Sequence, residues 1–439
     1  MKKAISALLC AGLIATVLTA CSGADTFSDK ERLSDDAERS SDIEVTYNYS
    51  DGAVTPPTEY NSYSSEVSDF ELKLFRNYYK NNSDKKSFVF APANTALTLG
   101  LIANGAAKQS QTNIINSLGD ELVLDSTNQC SSYFQSRLKA FCTDGSEDKE
   151  NQKSTEKAYF RLNQSYFFND TVDIRKNFLT SNANYYGADI FRFVFSDENS
   201  VRKANSVLGD NAVTALDSSD NLLCISSSDV YDEWLSAYEK DAVADGIFYS
   251  KSGEKTVKYM TSAENYIHTD KAQGIIKYMR NTPVKFAVIM PNEDTSLESY
   301  ISSLTYLEYS DLLESFKITS LTNASVPEFS IKSDGAPVSL KAELDACGLA
   351  DMFTEDINLS NITLSDDLFV NDISEIQPSI TVNSSGIGGS ESVKPTVSAN
   401  VLKSEGKTTD GTLKFDRPFI FMLIDNESNI PLYIGTVDF

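Results

Sequence analysis

The sequence predicts an α+β fold that follows an export signal and a polar segment. Helix-like and strand-like stretches both occur, but they do not alternate regularly as they would in a parallel α/β fold. The 439 residues are 41% hydrophobic, which is enough for a large core in one big domain or two ordinary ones. The formal net charge of -25 argues against binding to nucleic acid or to anionic lipid surfaces, because both need clustered Lys and Arg.

The N-terminus has the pattern of an export signal, which we expect to comprise residues 1–20. Two lysines precede a short apolar core, and Leu18 to Ala20 form a cleavage-type stretch directly before Cys21. This order resembles the signal of a bacterial lipoprotein, which implies that the thiol of Cys21 carries a lipid and anchors the protein in a membrane. An ordinary secreted protein with an incidental Cys21 is the alternative. The apolar core is too short to predict a spanning helix.

Residues 21–67 are rich in Ser, Asp, Glu and Thr and show little apolar periodicity. Because such a composition buries too little apolar surface to order itself, we interpret this segment as a disordered acidic tether. As a flexible chain, it would have a mean reach of about 40 Å. It would therefore hold the folded part, residues 68–439, clear of a membrane or outer envelope.

Regular elements are predicted from Ser68 onwards. Aromatic and leucine residues from Phe70 to Tyr79 recur at near-helical spacing, and 88–90 predicts a short strand. A second helix is expected to open at Pro92, because proline fits the first turn of a helix. Later strand-like runs include 284–290 and 419–424. We expect a mixed arrangement of helices and long strands.

The cysteines indicate neither a metal site nor a redox motif. Besides one cysteine in the signal and Cys21, the chain has Cys130, Cys142, Cys224 and Cys347, with no C-x-x-C spacing. Cys130 and Cys142 lie in one helix-like stretch, where twelve residues rise about 18 Å. A disulfide tolerates at most about 7 Å between Cα atoms, so the two cannot bond within one straight helix. We expect four buried, inert thiols and no cofactor.

The C-terminal part carries several motifs in a distinctive order. Residues 325–329 are S-V-P-E-F, and 348–353 are G-L-A-D-M-F. A Gly/Ser-rich stretch follows, then F-D-R-P-F-I-F at 415–421 and a last apolar run at 431–437. This order resembles the C-terminal half of the serpins, in which an exposed reactive loop lies between the second motif and the R-P-F strand.

Further motifs extend the resemblance over about residues 68–439. Each is weak alone, but six or more in the right order are specific. They are F-V-F-A-P at 88–92, L-N-Q-S-Y-F-F at 162–168, Y-Y-G-A-D at 185–189, V-K-Y-M at 257–260, and I-I-K-Y at 275–278 with F-A-V-I-M-P at 286–291. The resemblance implies a serpin fold, with a large mixed central β-sheet, surrounding helices and an exposed reactive loop.

The resemblance also implies inhibition of serine proteases without any catalytic group in the inhibitor. In serpins a protease cuts the exposed loop, and the freed segment enters the central sheet as a new antiparallel strand, carrying the acylated protease. Here the family glycine matches Gly386, so the hinge is expected at Gly386, Ile387, Gly388 and Gly389. Trp234 falls where the family has a tryptophan, at the end of a central strand where insertion begins.

The family's usual spacing from the hinge implies a scissile bond near Asn400 and Val401. The loop is several residues longer than usual, however, so Leu402 and Lys403 are equally eligible. Lys403 would attract trypsin-like enzymes, whereas Leu402 would suit subtilisin- or chymotrypsin-like enzymes. An exposed loop without a selected cleavage site is the alternative.

Two residues of the loop oppose easy insertion. Because strand side chains alternate, Ile387, Gly389, Glu391 and Val393 should share the inward face after insertion. An unpaired carboxylate of Glu391 would then cost several kcal/mol. Pro395 lacks a backbone donor and is unsuited to a central strand.

The buried hydrogen-bond network that steadies the sheet in serpins is also altered. Ala91 and Asn94 replace its two serines, Ser226 replaces its asparagine, and Ile376 stands where the family has histidine. Asn94 and Ser226 could restore part of the network with a different geometry.

Two other functional classes compete with inhibition. An enzyme is disfavoured, because the single histidine, His268, lies in a polar segment and no nucleophile elbow, P-loop or H-E-x-x-H occurs. A non-inhibitory serpin-fold binding or scaffold protein at the cell surface is favoured by Glu391, Pro395 and the altered network. The leading expectation is a monomeric bacterial serpin, lipid-anchored outside the cell, that traps serine proteases.

Overall fold

A computed structural model describes residues 30–35, 55–82, 87–148, 153–155, 157–209, 212–317, 320–365, 367–393 and 407–439. Several residues that the sequence singled out lie outside these ranges, and for them the predictions stand as they are. They are Cys21, Pro395, Asn400, Val401, Leu402 and Lys403. Within the described ranges, no helix is long and apolar enough to cross a membrane.

The described chain mixes α-helices with many strands. The α-helices are α1 (Tyr60–Asn81), α2 (Pro92–Gly105), α3 (Lys108–Leu118), α4 (Leu124–Ala140), α5 (Lys176–Ser181), α6 (Ser200–Leu208), α7 (Leu297–Ser303), α8 (Tyr306–Glu314) and α9 (Lys341–Ala346). The strands up to residue 291 are β1 (Phe88–Phe90), β2 (Ser146–Asp148), β3 (Lys153–Thr155), β4 (Tyr159–Asn169), β5 (Asp189–Phe193), β6 (Leu222–Glu233), β7 (Val243–Ser250), β8 (Gly253–His268), β9 (Ala272–Tyr278) and β10 (Val284–Pro291). The later strands are β11 (Ser320–Pro327), β12 (Phe329–Ile331), β13 (Pro337–Ser339), β14 (Asp372–Ile376), β15 (Ile380–Val382), β16 (Gly386–Gly388), β17 (Lys407–Lys414), β18 (Phe419–Asp425) and β19 (Pro431–Val437).

Eight of these strands form the central sheet. Strand β6 is its longest central member and pairs antiparallel with β4, which pairs parallel with the edge strand β5. On its other side β6 has two different neighbours, β14 along its first half and β16 near its end. The sheet is completed by β15 and β12 beyond β16 and by β13 beyond β14. Parallel and antiparallel pairs both occur, as expected for a mixed sheet.

The second sheet has nine strands, in the order β1-β19-β18-β10-β9-β8-β11-β17, with β7 paired to β8. Its strands β10, β18 and β19 are buried along their whole length. Strands buried on both faces are apolar throughout, which is why 284–290 and 419–424 are recognisable as strands from the sequence. Helix α2 is buried between the two sheets, starts with Pro92 at its first turn and contacts both β6 and β19.

Helix α1 begins at Tyr60, whereas the sequence placed the start of the folded part at Ser68. Its first turns are ordered by aromatic packing, because the rings of Tyr60 and Tyr63 are buried. The ring of Tyr60 meets the ring of Tyr133 on α4 edge-on, with 4.6 Å between centroids. The polar residues around these tyrosines conceal the helical spacing of the buried positions.

Residues 30–35, within the expected tether, lie along the edge strand β5. The backbone N–H of Leu33 donates to Ile190 at 2.9 Å, and that of Arg192 donates to Glu31 at 2.8 Å. Arg32 forms an ion pair with Asp189 at 2.7 Å. An edge strand offers unpaired backbone groups, and this short segment uses two of them. The described stretches at 30–35 and from Tyr60 are thus ordered, and the tether remains a prediction for the rest of 21–67.

The four cysteines beyond the expected lipid site are free thiols. Cys130, Cys224 and Cys347 are buried, whereas Cys142 is half-buried because α4 ends at Ala140, before it. Burial raises the pKa of all four thiols above the ordinary value. A raised pKa leaves little thiolate at neutral pH, which fits inert side chains.

Candidate functional site where the central sheet meets the loop

The single tryptophan of the chain, Trp234, directly follows strand β6 and is fully buried. The indole Nε1 of Trp234 donates to the backbone oxygen of Asn383 at 2.8 Å. Its backbone N–H donates to the oxygen of Ser385 at 3.0 Å. The ring packs against Phe286 at 5.4 Å between centroids. Trp234 therefore fixes the first residues of the Gly/Ser-rich loop to the end of β6.

The expected hinge forms a short strand inside the central sheet. On one side β16 pairs antiparallel with β6, with Gly386 opposite Glu233 and Gly388 opposite Tyr231. On the other side it pairs antiparallel with β15. The side chain of Ile387 is fully buried and occupies the inward face. A Cβ at Gly386 would lie 2.2 Å from the oxygen of Asp232, so the close approach of the strands requires glycine there.

The loop leaves the sheet at Gly389 and Ser390. The N–H of Gly389 donates to the oxygen of Val230 at 2.7 Å. The N–H and hydroxyl of Ser390 both donate to the carboxylate of Asp229, at 2.9 and 2.5 Å. Glu391 is 62% exposed and forms an ion pair with Lys157 at 2.9 Å. The carboxylate that would be difficult to bury is therefore outside the sheet in this structure.

The other half of β6 is closed by β14. These strands pair in parallel, from Asp372 opposite Leu223 to Glu375 opposite Ser226. The neighbour of β6 thus changes from β14 to β16 between Ser226 and Tyr231. A strand that lengthened β16 would first fill this interval and then have to separate β14 from β6.

Polar groups from α2 and β4 stabilise the closed half of the central sheet, where β14 pairs with β6. The amide of Asn94 donates to the oxygen of Ser227 at 3.0 Å and accepts from Gln164 at 2.7 Å. The hydroxyl of Ser226 reaches the oxygen of Ser374 at 3.4 Å, which is a long contact. Asn94 thus takes part in a substitute network, as the sequence allowed, and Ser226 adds only a weak bond.

Ile376, expected at the family's histidine position, is not the residue of β14 that faces this network. Glu375, not Ile376, faces the start of α2: it is 1% exposed, and its carboxylate accepts from the N–H of Ala91 at 2.9 Å. Ile376 is half-buried and packs against a second apolar cluster. The parallel register between β14 and β6 decides which residues of β14 point inward. The sequence alone does not give this direction, because the chain between β14 and β15 is irregular.

The environment of Glu375 keeps its carboxyl group neutral. Burial raises its pKa to about 8, and the hydrogen bond from Ala91 offsets only part of this effect. Its second oxygen, Oε2, has no hydrogen-bond partner among the described residues. A neutral acid is therefore buried between α2 and the strand that must move if the sheet opens.

Three further residues position the end of β6, namely Asp232, Lys277 and Glu264. The sequence pattern gave no signal for them. Asp232 accepts hydrogen bonds from the backbone and side chains of Asn281 and Thr282, which holds the β9–β10 turn. Lys277 lies 4.2 Å from the ring centroid of Tyr238 and forms a buried ion pair with Glu264 at 2.5 Å. These contacts depend on residues from β8, β9 and the β9–β10 turn, which only the fold brings together.

A protein-family model described as "Serpin (serine protease inhibitor)" matches residues 65–438. The chain belongs to the serpin family. Among curated relatives, serine protease inhibitor A6 of Xenopus laevis is 22% identical over 386 residues, covering 85% of this chain and 83% of the relative. Alpha-1-antiproteinase of Rattus norvegicus is 21% identical and covers 86% of this serpin and 89% of the relative.

Solved serpin structures agree with this fold. The native state of tengpin, a thermophilic serpin, has a TM-score of 0.71 and 26% identity, covering 88% of this serpin and 96% of tengpin. The latent state of tengpin has a TM-score of 0.68 over 88% of this serpin and 99% of that chain. The expected serpin fold, with large mixed sheets and surrounding helices, is confirmed.

Most of these relatives have the names of protease inhibitors, which supports serpin-type inhibition in general rather than catalysis. The relatives also include thyroxine-binding globulin of Ovis aries, at 21% identity over 85% of this serpin. The family therefore includes a member named for binding a small molecule. Inhibition by this serpin has to be argued from its own loop and sheet.

Proposed function

We propose that this serpin inhibits extracytoplasmic serine proteases by loop cleavage followed by insertion of the loop into the central sheet. The observation that carries the proposal is strand β16. Its three residues already pair with β6 on one side and β15 on the other, with Ile387 in the core. The loop therefore has its starting register for insertion before any protease acts.

Insertion would lengthen β16 along β6. Each added residue would satisfy backbone groups on both neighbouring strands, which is the drive of strand addition. The movement would release Ser390 from Asp229 and Glu391 from Lys157, and then part β14 from β6. Both polar contacts are at least partly exposed, and exposed ion pairs are worth about 0–1 kcal/mol. Insertion would also have to release the buried Val393, whose oxygen accepts a hydrogen bond from the amide of Asn383 at 3.1 Å.

The cut is proposed within Asn400, Val401, Leu402 and Lys403. The far end of the loop is fixed by β17, which pairs in parallel with β11 at the edge of the second sheet. A chain tied at β16 and at β17 presents the intervening residues between two ordered ends. Cleavage there would free the N-terminal side of the loop while the C-terminal side stays in its sheet.

The cellular location is proposed from the N-terminal sequence. We expect a lipid on Cys21 to hold this serpin on the outer side of a bacterial membrane, with a serine protease as its partner. Residues 30–35 contact β5, and nine Cα–Cα steps along the chain separate Cys21 from Lys30. At most about 30 Å of extended chain then separates that contact from the membrane.

A non-inhibitory surface binding or scaffold protein is the second candidate. The observation that favours it is the position of Glu391, which is held outside the sheet by Lys157. In this case the loop would remain arrested at Gly389, and β16 would serve only to close the top of the sheet. A protease would then cut the loop without being trapped.

Incubation with trypsin-, chymotrypsin- and subtilisin-like proteases separates the two candidates. Inhibition predicts a covalent complex that survives denaturing electrophoresis, together with a higher melting temperature of the nicked protein. Ile387→Arg should abolish the complex, because a charge cannot be buried at this inward position, while cleavage continues. Ser392→Arg, on the outward side of the expected strand, is the matched control and should retain the complex. Cleavage without a complex and without a thermal gain in the unmodified protein would establish the scaffold instead.

A further inference from the structure

The loop reverses its direction directly after strand β16. A Cβ at Gly388 would overlap the backbone oxygen of Glu391, so the chain folds back on itself within these four residues. A Cβ at Gly389 would overlap a carboxylate oxygen of Asp229. No side chain fits at either position without a shift of its surroundings. The two consecutive glycines are therefore required by the reversed course of the loop.

A straight inserted strand would not need these two glycines. Each residue of a strand advances about 3.3 Å, so the oxygen of Glu391 would lie about 10 Å along the strand from Gly388. Glycine also loses more conformational freedom on ordering than any other residue. Gly388 and Gly389 thus suit the loop before cleavage better than the loop after insertion. This indicates that the reversed course is a built-in feature of the intact protein.

The returning chain is held at Val393, which is 2% exposed. Its backbone oxygen accepts a hydrogen bond from the side-chain amide of Asn383 at 3.1 Å. The side-chain oxygen of Asn383 accepts from the N–H groups of Ser385 at 2.8 Å and Gly386 at 3.2 Å. The backbone oxygen of Asn383 is in turn fixed by the indole of Trp234. One positioned side chain therefore joins the start of the loop to a residue ten positions further along the chain.

The turn between these two points is held on the outward side of the sheet. The carboxylate of Asp229 accepts from the N–H and the hydroxyl of Ser390, and also from the phenol of Tyr159 at 3.3 Å. The ammonium group of Lys157, which pairs with Glu391, lies 5.6 Å from the ring centroid of Tyr159. Because Tyr159 is buried at the start of β4, both contacts of the turn rest on a fixed side chain.

Insertion cannot proceed while the bond between Asn383 and Val393 is intact. Gly386 lies opposite Glu233, and each step along the loop moves one residue back along β6. Continued without a shift, this register sets Val393 opposite Ser226. That position is about 23 Å along the strand from Gly386, whereas Asn383 stays at the other end of the loop. The bond must therefore break before β16 can lengthen to this point.

We propose that Asn383, the turn 388–391 and Val393 form a clasp that keeps the intact loop from inserting beyond β16 and sets the rate of insertion. A clasp of this kind matters only if the loop enters the sheet, so its role rests on the proposed function. It explains how a loop that already has its register for insertion stays outside the sheet. Asn383 is then a positioning residue, whose release commits the loop to the central sheet.

The clasp also affects which product a protease obtains. Before the cut, the pairing of β17 with β11 holds the far end of the loop as well. After the cut, that restraint no longer acts on the N-terminal side, and the clasp alone delays insertion. Trapping competes with release of the cleaved inhibitor. The time needed to open the clasp therefore decides how much inhibitor ends as complex and how much as cleaved product.

Amide hydrogen exchange of the intact protein tests the clasp without any protease. The N–H groups of Gly389 and Ser390 both donate in the closed loop and should be protected. Asn383→Asp keeps the acceptor oxygen of the side chain but removes the amide that donates to Val393. It should speed exchange at Gly389 and Ser390 by roughly two- to tenfold, the factor expected for one hydrogen bond.

Asn358→Asp is the matched control for this variant. It introduces the same charge, and the side-chain bond described for it, from the N–H of Ser360, uses an oxygen that aspartate keeps. Exchange at Gly389 and Ser390 should stay unchanged in this control. Lack of protection in the unmodified protein, or equal acceleration in both variants, would overturn the clasp.

Gly388→Ala tests the turn independently of Asn383. Its Cβ overlaps Glu391 in the closed loop but points to the outward side of a straight strand, so it should lower the guanidinium midpoint of the intact form only. Gly386→Ala is the contrast, because it collides with Asp232 within β16 and should lower the midpoints of the intact and the cleaved forms alike. With a target protease, Asn383→Asp and Gly388→Ala should both raise the fraction of inhibitor that ends as covalent complex.

The unmodified protein distinguishes failure of the clasp from failure of insertion. If cleavage raises its midpoint but neither variant changes the fraction of complex, the loop inserts and the clasp does not control the rate. If cleavage does not raise its midpoint, insertion is overturned, and the role of the clasp with it.

Discussion

Glu375 shows how a single ionisable side chain can be read differently in sequence and structure. In the sequence it is one of many acidic residues and belongs to no motif. In the fold Glu375 lies on β14 and is fully buried against the start of α2. One of its oxygens accepts a hydrogen bond from the N–H of Ala91, and the other has no partner among the described residues. Its burial therefore links the pH of the solution to the closed half of the central sheet.

The stability of the intact protein should fall as pH rises because of Glu375. Its pKa is raised from an ordinary value near 4.5 to about 8, so between these values the unfolded chain loses the proton and the folded protein keeps it. The free energy of unfolding therefore falls by about 1.4 kcal/mol per pH unit across this window because of Glu375. Outside the window, the effect of Glu375 does not change with pH. Glu375→Gln should therefore raise the melting temperature at pH 8 and change it little at pH 4. A variant that follows the unmodified protein at both pH values would contradict the assignment.

The buried ion pair beneath Trp234 gives a second prediction for individual residues. Lys277→Met leaves the Glu264 carboxylate buried without its partner and should destabilise the protein by about 3–5 kcal/mol. The double variant Lys277→Met with Glu264→Gln should recover much of that loss, because no unpaired charge remains. Thermal unfolding measures both effects, and the fluorescence of the single tryptophan, Trp234, reports whether its surroundings have changed. Additive losses in the double variant would show that the two side chains do not act as a pair.

Among the elements, segment 30–35 beside the edge strand β5 differs most from its sequence-based interpretation. A tether was expected throughout 21–67, yet residues 30–35 add backbone hydrogen bonds to β5. Charged residues dominate this short segment, so its apolar contact, through Leu33, is too small to give a periodic signal. Edge pairing of this kind depends on a free strand edge elsewhere in the fold, which local sequence does not reveal.

Leu33→Pro should release this segment from β5, because proline has no N–H to donate to Ile190. Amide hydrogen exchange of Arg192, whose N–H donates to Glu31, should become faster, and global stability should change little. Asp35→Pro is the control for proline itself: none of the described backbone bonds involves its N–H, and it removes only the exposed ion pair with Arg32. Unchanged protection at Arg192 in Leu33→Pro would mean that the segment does not cover the edge in solution.

At the scale of the whole molecule, the order of motifs in the sequence was sufficient for the fold. The runs 284–290 and 419–424 predicted strands, and these strands are recognisable because strands covered on both faces are apolar throughout. The resemblance placed a glycine at Gly386, and the structure gives that glycine a physical reason, since its close approach to Asp232 tolerates no Cβ. The pairing of β16 within the central sheet and the inward direction of Glu375 were not predictable, because each depends on the register between distant strands.

The closed pair of β6 and β14 should be the barrier that insertion has to overcome. Leu223 and Asp372 are opposed on these strands, on the outward face, and neighbouring strands lie about 4.8 Å apart. That separation falls within the range of a disulfide, so Leu223→Cys with Asp372→Cys should lock the sheet when oxidised. The oxidised protein should be cleaved by the target protease without forming a covalent complex and without gaining thermal stability. Reduction should restore both properties in the same sample, and the single variant Leu223→Cys should behave as the unmodified protein in either state. Complex formation by the oxidised double variant would show that the loop acts without parting these strands.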